Sequence, residues 1–570
     1  ELAEGTPEER IEVRERLQKL QVERLYYLLA SDVRKGYQEY KELTEQSSRN
    51  RWTGFGMRLL DEFLRFYNDP SCRARFENSG LTEEQIIRES AWLWVERFYW
   101  WGQNERVINL ADKILENPDA FYISCGKEAK SCSAEDLSLV GNIYAFWAFA
   151  RAMLHGYEVE VKKRLQIVLK QFPPLVKCTK EQSLALARLS TAYGYQCHLA
   201  GMLDQATEYY SMAKAAFRSL GPDLSNYYDE YAALLNNSSY LYAVLGRMFL
   251  ARPSAHEALR LNELQGNQYT TGLTLSTLSQ IARMRENFGQ AIEYAEEALK
   301  LFRELGEARG TAMAYQGFAQ AKRKQAKHEL EKGRNLEEAR EMFEEARESL
   351  NKAQEATREA GIISLDAALI AEQGRVSRDL GRMISRLEGS EEAMAYYSQS
   401  ARQLREALGK LQERASSKDM QADVLQDLSE VLFDLGDQEE AQRTLEKIKE
   451  LIGQEYLIEP GKPFPADNLP PQHFEPLGKL ELMIGQVAFS QKHWEEGIQH
   501  FVIAYMYFTR FSADAVKKDT MIEYLYNHLK DLSVTKQQDA LKKTEAWVKD
   551  FELGEVALSF VQTVGELFGI

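Results

Sequence analysis

The stretch Ser279-Gln280-Ile281-Ala282-Arg283-Met284-Arg285-Glu286-Asn287-Phe288-Gly289-Gln290-Ala291-Ile292-Glu293-Tyr294-Ala295-Glu296-Glu297-Ala298 decides the fold. Its Ser279, Glu286, Ala291, Ala295 and Ala298 stand at a small residue and then at +7, +12, +16 and +19. The same grid holds Ser239, Gly246, Ala251, Ala255 and Ala258, and before them Gly194, Gly201, Ala206, Tyr210 and Ala213. The anchors Ala206, Ala251 and Ala291 are thus 45 and 40 residues apart. Each unit has room for two helices. Gly, Ala or Ser is expected where those helices cross, because only small side chains let two backbones approach closely.

Working outward, the grid returns in altered forms. Gly317 starts a unit whose second helix is anchored at Ala339, Phe343 and Ala346, with about ten extra residues lengthening its helices. The charge run over 322–358 reads as a solvated face supported by i,i+4 pairs. Further anchors are Ala393/Tyr397/Ser400, Gly436/Ala441/Leu445/Ile448 and Gly485/Trp494/Gly497/Phe501/Ala504. Upstream, Thr6-Pro7-Glu8-Glu9 opens a helix over 7–29, another runs from Gly54 to Tyr67, and Asn68-Asp69-Pro70 stops it. A helix opening at Leu81 carries Trp92, Trp94, Trp100 and Trp101; its rings read mainly as inter-helix filling, with an aromatic binding wall as the other option. Residues 119–136 read as a long loop. Four segments are expected: divergent helical repeats over 1–136, a superhelix over 137–458, a proline-rich linker over 459–476, and a last repeat with capping helices over 477–570.

Composition agrees. The 570 residues are 44% hydrophobic, with only 13 prolines and 34 glycines to interrupt helices, and few segments alternate as strands do. The chain is expected to be all-α. The net charge of -16 argues against nucleic acid as the main partner. Five cysteines without a CxxC pair read as reduced thiols. No apolar run approaches a membrane span, and a cytoplasmic location is expected.

Chemistry is hard to find. There is no GxxxxGK[ST], HExxH or GxSxG. The eight histidines are scattered, and the abundant carboxylates single out no pair. No catalytic, metal or cofactor residue is predicted, and the chain reads as non-catalytic.

The grid resembles the tetratricopeptide repeat, whose basic period is 34 residues. The resemblance covers roughly 137–450 and 479–510. It implies an α-solenoid, a right-handed superhelix of antiparallel helix pairs whose first helices line the concave side. On the grid, the inward residues outside the packing face are Arg188, Thr191, Tyr195, His198, Asn236, Asn237, Tyr240, Gln280, Arg283, Thr311 and Phe318. They are the candidate surface for a protein or peptide partner. The family's chaperone-tail clamp needs a Lys/Asn/Lys/Arg set; Tyr195 and Tyr240 stand where Asn would be, so that clamp is not expected.

A second resemblance rests on Arg24-Leu25-Tyr26-Tyr27-Leu28-Leu29-Ala30-Ser31-Asp32, Gly36-Tyr37 and Leu59-Leu60-Asp61-Glu62. These look like the segment opening the C-terminal repeat sensor array of bacterial STAND-type signalling ATPases. That resemblance implies a scaffold acting as the sensor or regulatory part of a signalling system, with a nucleotide-binding or effector module upstream. The first residue, Glu1, fits a chain whose other modules lie elsewhere. The alternative is a small-molecule-binding regulatory repeat domain, similar to that of maltose-type ATP-dependent transcription activators.

Overall fold

The structure is a computed structural model. It describes residues 7–49, 52–124, 132–200, 202–332, 336–359, 365–387, 390–413, 418–452, 474–511, 521–522, 525, 529–530, 532–550 and 554–567. Among these there are helices and no strand. The fold is an all-α solenoid of packed helix pairs.

The chain forms two compact units. One holds residues 1–200 and 204–234, the other 201–203 and 235–570. The first begins with α1 (Pro7–Ser31), α2 (Val33–Arg49), α3 (Thr53–Tyr67), α4 (Pro70–Asn78), α5 (Glu83–Trp100) and α6 (Asn104–Glu116). It continues with α7 (Ala134–His155), α8 (Val159–Leu169), α9 (Lys180–Leu199) and α10 (Leu203–Arg218). Helix α4 falls where the sequence reading ended a helix and placed none. Asp69 is the reason: its carboxylate accepts from the Ser71 amide at 2.8 Å, and Pro70 occupies the first helical position, so the proline starts a helix instead of only stopping one. Helix α7 likewise begins inside the expected 119–136 loop, where the Ser133 hydroxyl accepts from the Asp136 amide at 3.0 Å.

By length and composition alone helix α7 could cross a bilayer, but 67% of its most apolar window is packed inside the protein, as in a core helix. The reduced-thiol expectation is corrected at Cys132, which is disulfide-bonded; Cys72, Cys178 and Cys197 are free.

The tryptophan segment packs on two sides of α5. Trp94 and Trp101 stand 5.8 Å apart and belong to the N-terminal core with Tyr40 and Phe63. Trp92 meets Phe146 of α7 at 5.4 Å, and Tyr99 meets the same ring at 5.0 Å. These rings fill the spaces between helices.

The second unit contains most of α11 (Tyr228–Val244), then α12 (Met248–Gln265), α13 (Gln268–Met284), α14 (Phe288–Leu305), α15 (Ala308–Glu331) and α16 (Leu336–Glu359). It continues with α17 (Asp366–Leu387), α18 (Ser390–Glu413), α19 (Lys418–Asp434), α20 (Gln438–Ile452), α21 (Phe474–Ser490) and α22 (Trp494–Phe511). It closes with α23 (Val534–Asp550) and α24 (Gly554–Leu567). The pair α15/α16, with 24 residues in each helix, is lengthened as expected, and so is α17/α18, with 22 and 24. Most of the expected linker, 459–473, lies outside the described residues; α21 begins at Phe474, inside its expected end. The helices on either side of that gap share a core. Leu425, Leu445 and Ile448 of α19 and α20 cluster with Leu477, Leu480 and Met483 of α21.

The grid works by two different mechanisms. Its zero, +12 and +16 positions are close approaches. Ala206, Ala251 and Ala291 are fully buried. A Cβ on Gly194 would stand 2.6 Å from the Tyr210 ring, and one on Gly381 would stand 2.7 Å from Tyr397. The Ser279 hydroxyl donates to the Ala291 carbonyl at 2.6 Å, tying the two helices of its pair. The +7 position is different: it is the turn residue. Gly246, Glu286, Gly436 and Lys492 have φ of 70°, 57°, 82° and 64°, the left-handed region. Glycine recurs there for its backbone freedom, and the positions with Glu or Lys carry backbone strain.

Candidate functional site

In the second unit α13 packs directly on α15, α15 on α17 and α17 on α19. Among the described residues the second helices α14, α16, α18 and α20 have no comparable mutual packing. The first helices therefore form the more closely spaced layer. It carries a ladder of buried ion pairs.

The ladder starts on α15. Arg323 Nε meets Glu372 Oε1 and its Nη1 meets Asp379 Oδ2, both at 2.7 Å. Gln320, one turn earlier, donates to Glu372 Oε2 at 3.4 Å. On α17, Arg375 reaches Glu372 at 3.1 Å and, across to α19, Asp423 and Asp427 at 2.5 Å each. Arg378 binds Asp427 at 2.7 Å and Glu430 at 3.0 Å. Arg382 binds Glu430 at 3.2 Å and Asp434 at 2.7 Å. Helical spacing makes this possible. Arg375, Arg378 and Arg382 are three and four residues apart, as are Asp427, Glu430 and Asp434, so an arginine stripe on α17 faces an acidic stripe on α19.

Arg323, Glu372, Arg378 and Asp379 are buried. Burial opposes ionisation of Glu372, but Arg323 and Arg375 outweigh it and hold its carboxyl at about 2. The same contest holds Asp379 and Asp427 well below the usual carboxylate range, through Arg378 and Arg323 for the first and Arg375 and Arg378 for the second. Glu372, Asp379 and Asp427 are therefore charged at neutral pH, as are the arginines that hold them. Arg323 corrects the reading of 322–358 as wholly solvated, since this member of the run turns inward.

The first unit buries Arg97 and Arg188, and its charge hub is built on Arg188. Arg188 of α9 forms a fork onto Glu230, with Nε at 2.6 Å and Nη2 at 2.5 Å. Its Nη1 donates to Asn142 at 3.1 Å, and Glu96 lies at 3.5 Å. The guanidinium stands 5.0 Å from the Trp92 ring centre, 5.4 Å from Phe146 and 5.8 Å from Tyr227.

The candidate partner surface divides accordingly. Arg188 and Thr191 are buried; Arg188 is held by the hub, and the Thr191 hydroxyl donates to the Ala187 carbonyl of its own helix at 2.7 Å. These two leave the expected set, because both serve packing. Tyr195 and His198 are half-buried; Tyr195 lies 6.2 Å from Phe149, and burial pushes the His198 imidazole down to about 4, so it is neutral. In the second unit Asn236, Asn237, Tyr240, Gln280, Arg283, Thr311 and Phe318 are all half-buried. Thr311 donates to the Glu307 carbonyl at 2.8 Å, and the Lys322 ammonium stands 5.5 Å over the Phe318 ring. Asn236 Oδ1 is buried without a hydrogen-bond partner.

Sequence reasoning missed the ladder. One signal was present: Gln280-Ile281-Ala282-Arg283 recurs as Gln320-Ala321-Lys322-Arg323 one 40-residue period later. No group of three or more His, Cys, Asp and Glu suited to a metal ion occurs among the described residues. His500 instead pairs with the Glu481 carboxylate at 2.5 Å.

With this geometry in place, comparison with known proteins adds the following. A tetratricopeptide repeat family model matches residues 230–304. No curated protein matches the chain. Solved structures resemble it in fold. A Rap protein complexed with competence and sporulation factor is 12% identical, with 65% of this chain and 98% of that one covered and a TM-score of 0.40. Aspartyl phosphate phosphatase F from Bacillus subtilis is 11% identical, with 75% and 94% covered and a TM-score of 0.41. The human IFIT1 dimer with m7Gppp-AAAA is 16% identical, with 84% and 90% covered and a TM-score of 0.44.

Proposed function

We propose that the chain is a non-catalytic repeat scaffold that binds a protein or peptide segment on the first-helix layer of its second unit. One observation carries this reading. Among the described residues of that layer, the side chains of Asn237, Gln280 and Arg283 and the Oδ1 of Asn236 make no hydrogen bond or ion pair, while Arg323, Arg375, Arg378 and Arg382 are tied into the ladder. Amides and a guanidinium are the donors and acceptors an extended backbone needs. Tyr240 lies between the two asparagines and Arg283 in chain order and supplies a rigid ring. The tetratricopeptide match over 230–304 covers these residues.

The test is to pan the whole chain against random short peptides and titrate a recovered peptide by fluorescence anisotropy. The double change Asn237→Ala with Tyr240→Ala should weaken binding by more than about tenfold, or ~1.4 kcal/mol, and leave the melting temperature in place. Unchanged affinity would move the site elsewhere.

We place this scaffold in the sensing or regulatory arm of a signalling system, next to a nucleotide-binding or effector module. The opening segment from Arg24 to Asp32 supports that placement. Sequencing the complete reading frame tests it: an upstream nucleotide-binding motif is expected, and a complete frame without one removes the placement.

A further inference from the structure

Four arginines of the second unit's first-helix layer, Arg323, Arg375, Arg378 and Arg382, each hold at least one carboxylate within 3.3 Å. Arg283 occupies the same layer and has no ion pair or hydrogen bond among the described residues. Its level in the layer is fixed by packing. A Cβ on Gly317 of α15 would stand 4.0 Å from Ser279 Oγ of α13, so α13 near Ser279 faces α15 near Gly317. Gln280 and Arg283 follow Ser279 by one residue and one turn; Gln320 and Arg323 follow Gly317 by three and six. The two Gln/Arg doublets are neighbours on adjoining helices.

Charge along the layer is graded. The inner positions of α15 supply Arg323 and Lys327; α17 mixes Glu372 and Asp379 with three arginines; α19 supplies Asp423, Asp427, Glu430 and Asp434. Acid is concentrated at the α19 end and cation at the α13 end. The two carboxylates nearest the cationic end are already shared: Glu372 serves Arg323 and Arg375, and Asp379 serves Arg323 and Arg378. Tyr242 and Ala243 of α11 share a core with Leu278 and Ile281 of α13, and Tyr240 of α11 lies within electrostatic reach of Arg283, where an acidic residue would complete the series. Burial, with Arg323 and Arg375 adding repulsion, holds the Arg283 guanidinium below its usual range, while Glu372 and Tyr240 act the other way. A half-buried arginine beside two others, without its own carboxylate, is a cation short of a counter-charge.

We infer that Arg283 is the open rung of this ladder and that it takes a carboxylate from the bound segment. This rests on the scaffold reading above and adds the chemistry of the partner: an extended peptide with an Asp or Glu side chain, or its own C-terminal carboxylate, at the Arg283 position. The planar guanidinium can grip either carboxylate through two parallel hydrogen bonds. Gln280, one turn before Arg283 on α13, adds an amide for the peptide backbone. The net charge of -16 does not oppose it, because long-range repulsion is screened beyond roughly 8 Å in physiological salt.

The experiment uses the whole chain and two libraries of random short peptides, one with free and one with amidated C-termini. The wild type should enrich peptides with an acid at one fixed position. Enrichment in both libraries assigns the carboxylate to a side chain; enrichment in the free-ended library alone assigns it to the chain end. Arg283→Gln should bind the enriched peptide about tenfold or more weakly and lose the acid preference, with an unchanged melting curve. Arg283→Glu should select Lys or Arg at that position. Arg283→Lys keeps charge without the fork, and should keep the acidic position at reduced affinity. An enriched set with no acidic position, or an acid preference that persists in Arg283→Gln, overturns the Arg283 assignment and leaves the scaffold reading standing. No enrichment by the wild type overturns both.

Discussion

The first unit holds Arg188 in a box, and the second holds its buried arginines in a ladder. Arg188 has one forked carboxylate, a more distant one and three aromatic faces. Arg323, Arg375, Arg378 and Arg382 alternate with acids across α15, α17 and α19. Both arrangements neutralise a guanidinium, but they differ in what is left when it goes. Removing Arg188 leaves Glu230 and Glu96 with 14% and 21% of their side-chain surface open to water. Removing Arg378 leaves Asp379, Asp427 and Glu430 at 4%, 13% and 26%, and each keeps a second arginine: Arg323, Arg375 and Arg382. The energetic weight of a buried arginine is thus set by whether its partners keep another cation as well as by how dry they are.

The largest expected effect follows from that difference. Arg188→Met should cost about 3–5 kcal/mol, the usual loss when one partner of a buried pair is removed, because Glu230 then keeps no ion pair among the described residues. Arg378→Met should cost less, about 1–3 kcal/mol, because Asp379, Asp427 and Glu430 each keep an arginine. Hydrogen exchange resolved by unit would read both, and equal costs would break the comparison.

Acid should separate the units next, by an amount on the order of a few kcal/mol. Glu372 is held at about 2, against 4.5 for an ordinary glutamate. Its contribution is full above the ordinary value and is lost as pH falls through about 2. Glu96 has the opposite sign: burial raises it, against the pull of Arg188 and Arg97. Its contribution is present in acid and is lost as pH rises through its raised value. The second unit should therefore lose exchange protection first on acidification. A first unit that opens earlier would show that the ladder is not what acid attacks.

Packing offers the control. Ala206 and Ala251 occupy the same grid position in different units, and both are fully buried. Leucine at either should overpack its crossing by about 1–3 kcal/mol, and by similar amounts in the two. Unequal melting shifts would mean that the units differ in packing as well as charge. The smallest effect is a gain. Glu286 has φ of 57°, and Glu286→Gly should stabilise the second unit by about 0.5–1 kcal/mol if relief of strain outweighs the added freedom of the unfolded chain. A lower melting temperature would reverse that balance.

The helix pairs were legible because their signals are local and repeated. Ala251 and Ala291 read as crossings from spacing alone. The +7 residue was legible in place but not in cause: the structure makes it a left-handed turn, and close approach is confined to its neighbours. Helix α4 was missed because Asp69-Pro70 signals a start as well as a stop. Arg323 was hidden inside a charged run where its neighbours are solvated. The candidate surface was half legible: Gln280 and Arg283 were named from the grid, but nothing in it separated them from Arg188 and Thr191, which packing consumes.

By itself the sequence determined the all-α class, the helix-pair register and the absence of recognisable catalytic motifs, since these depend on residues within a few turns of one another. Only the tertiary structure decided which arginines are spent and which one is open. Arg323 reaches Glu372 and Asp379 across 49 and 56 residues, and Arg375 reaches Asp427 across 52. Those separations follow from the lengths of the pairs α15/α16 and α17/α18 that lie between the first helices. A shift of one turn, about 5.4 Å, would give each cation a different partner. Pairing at that range is set by packing, and so is the lack of an ion-pair partner for Arg283 among the described residues.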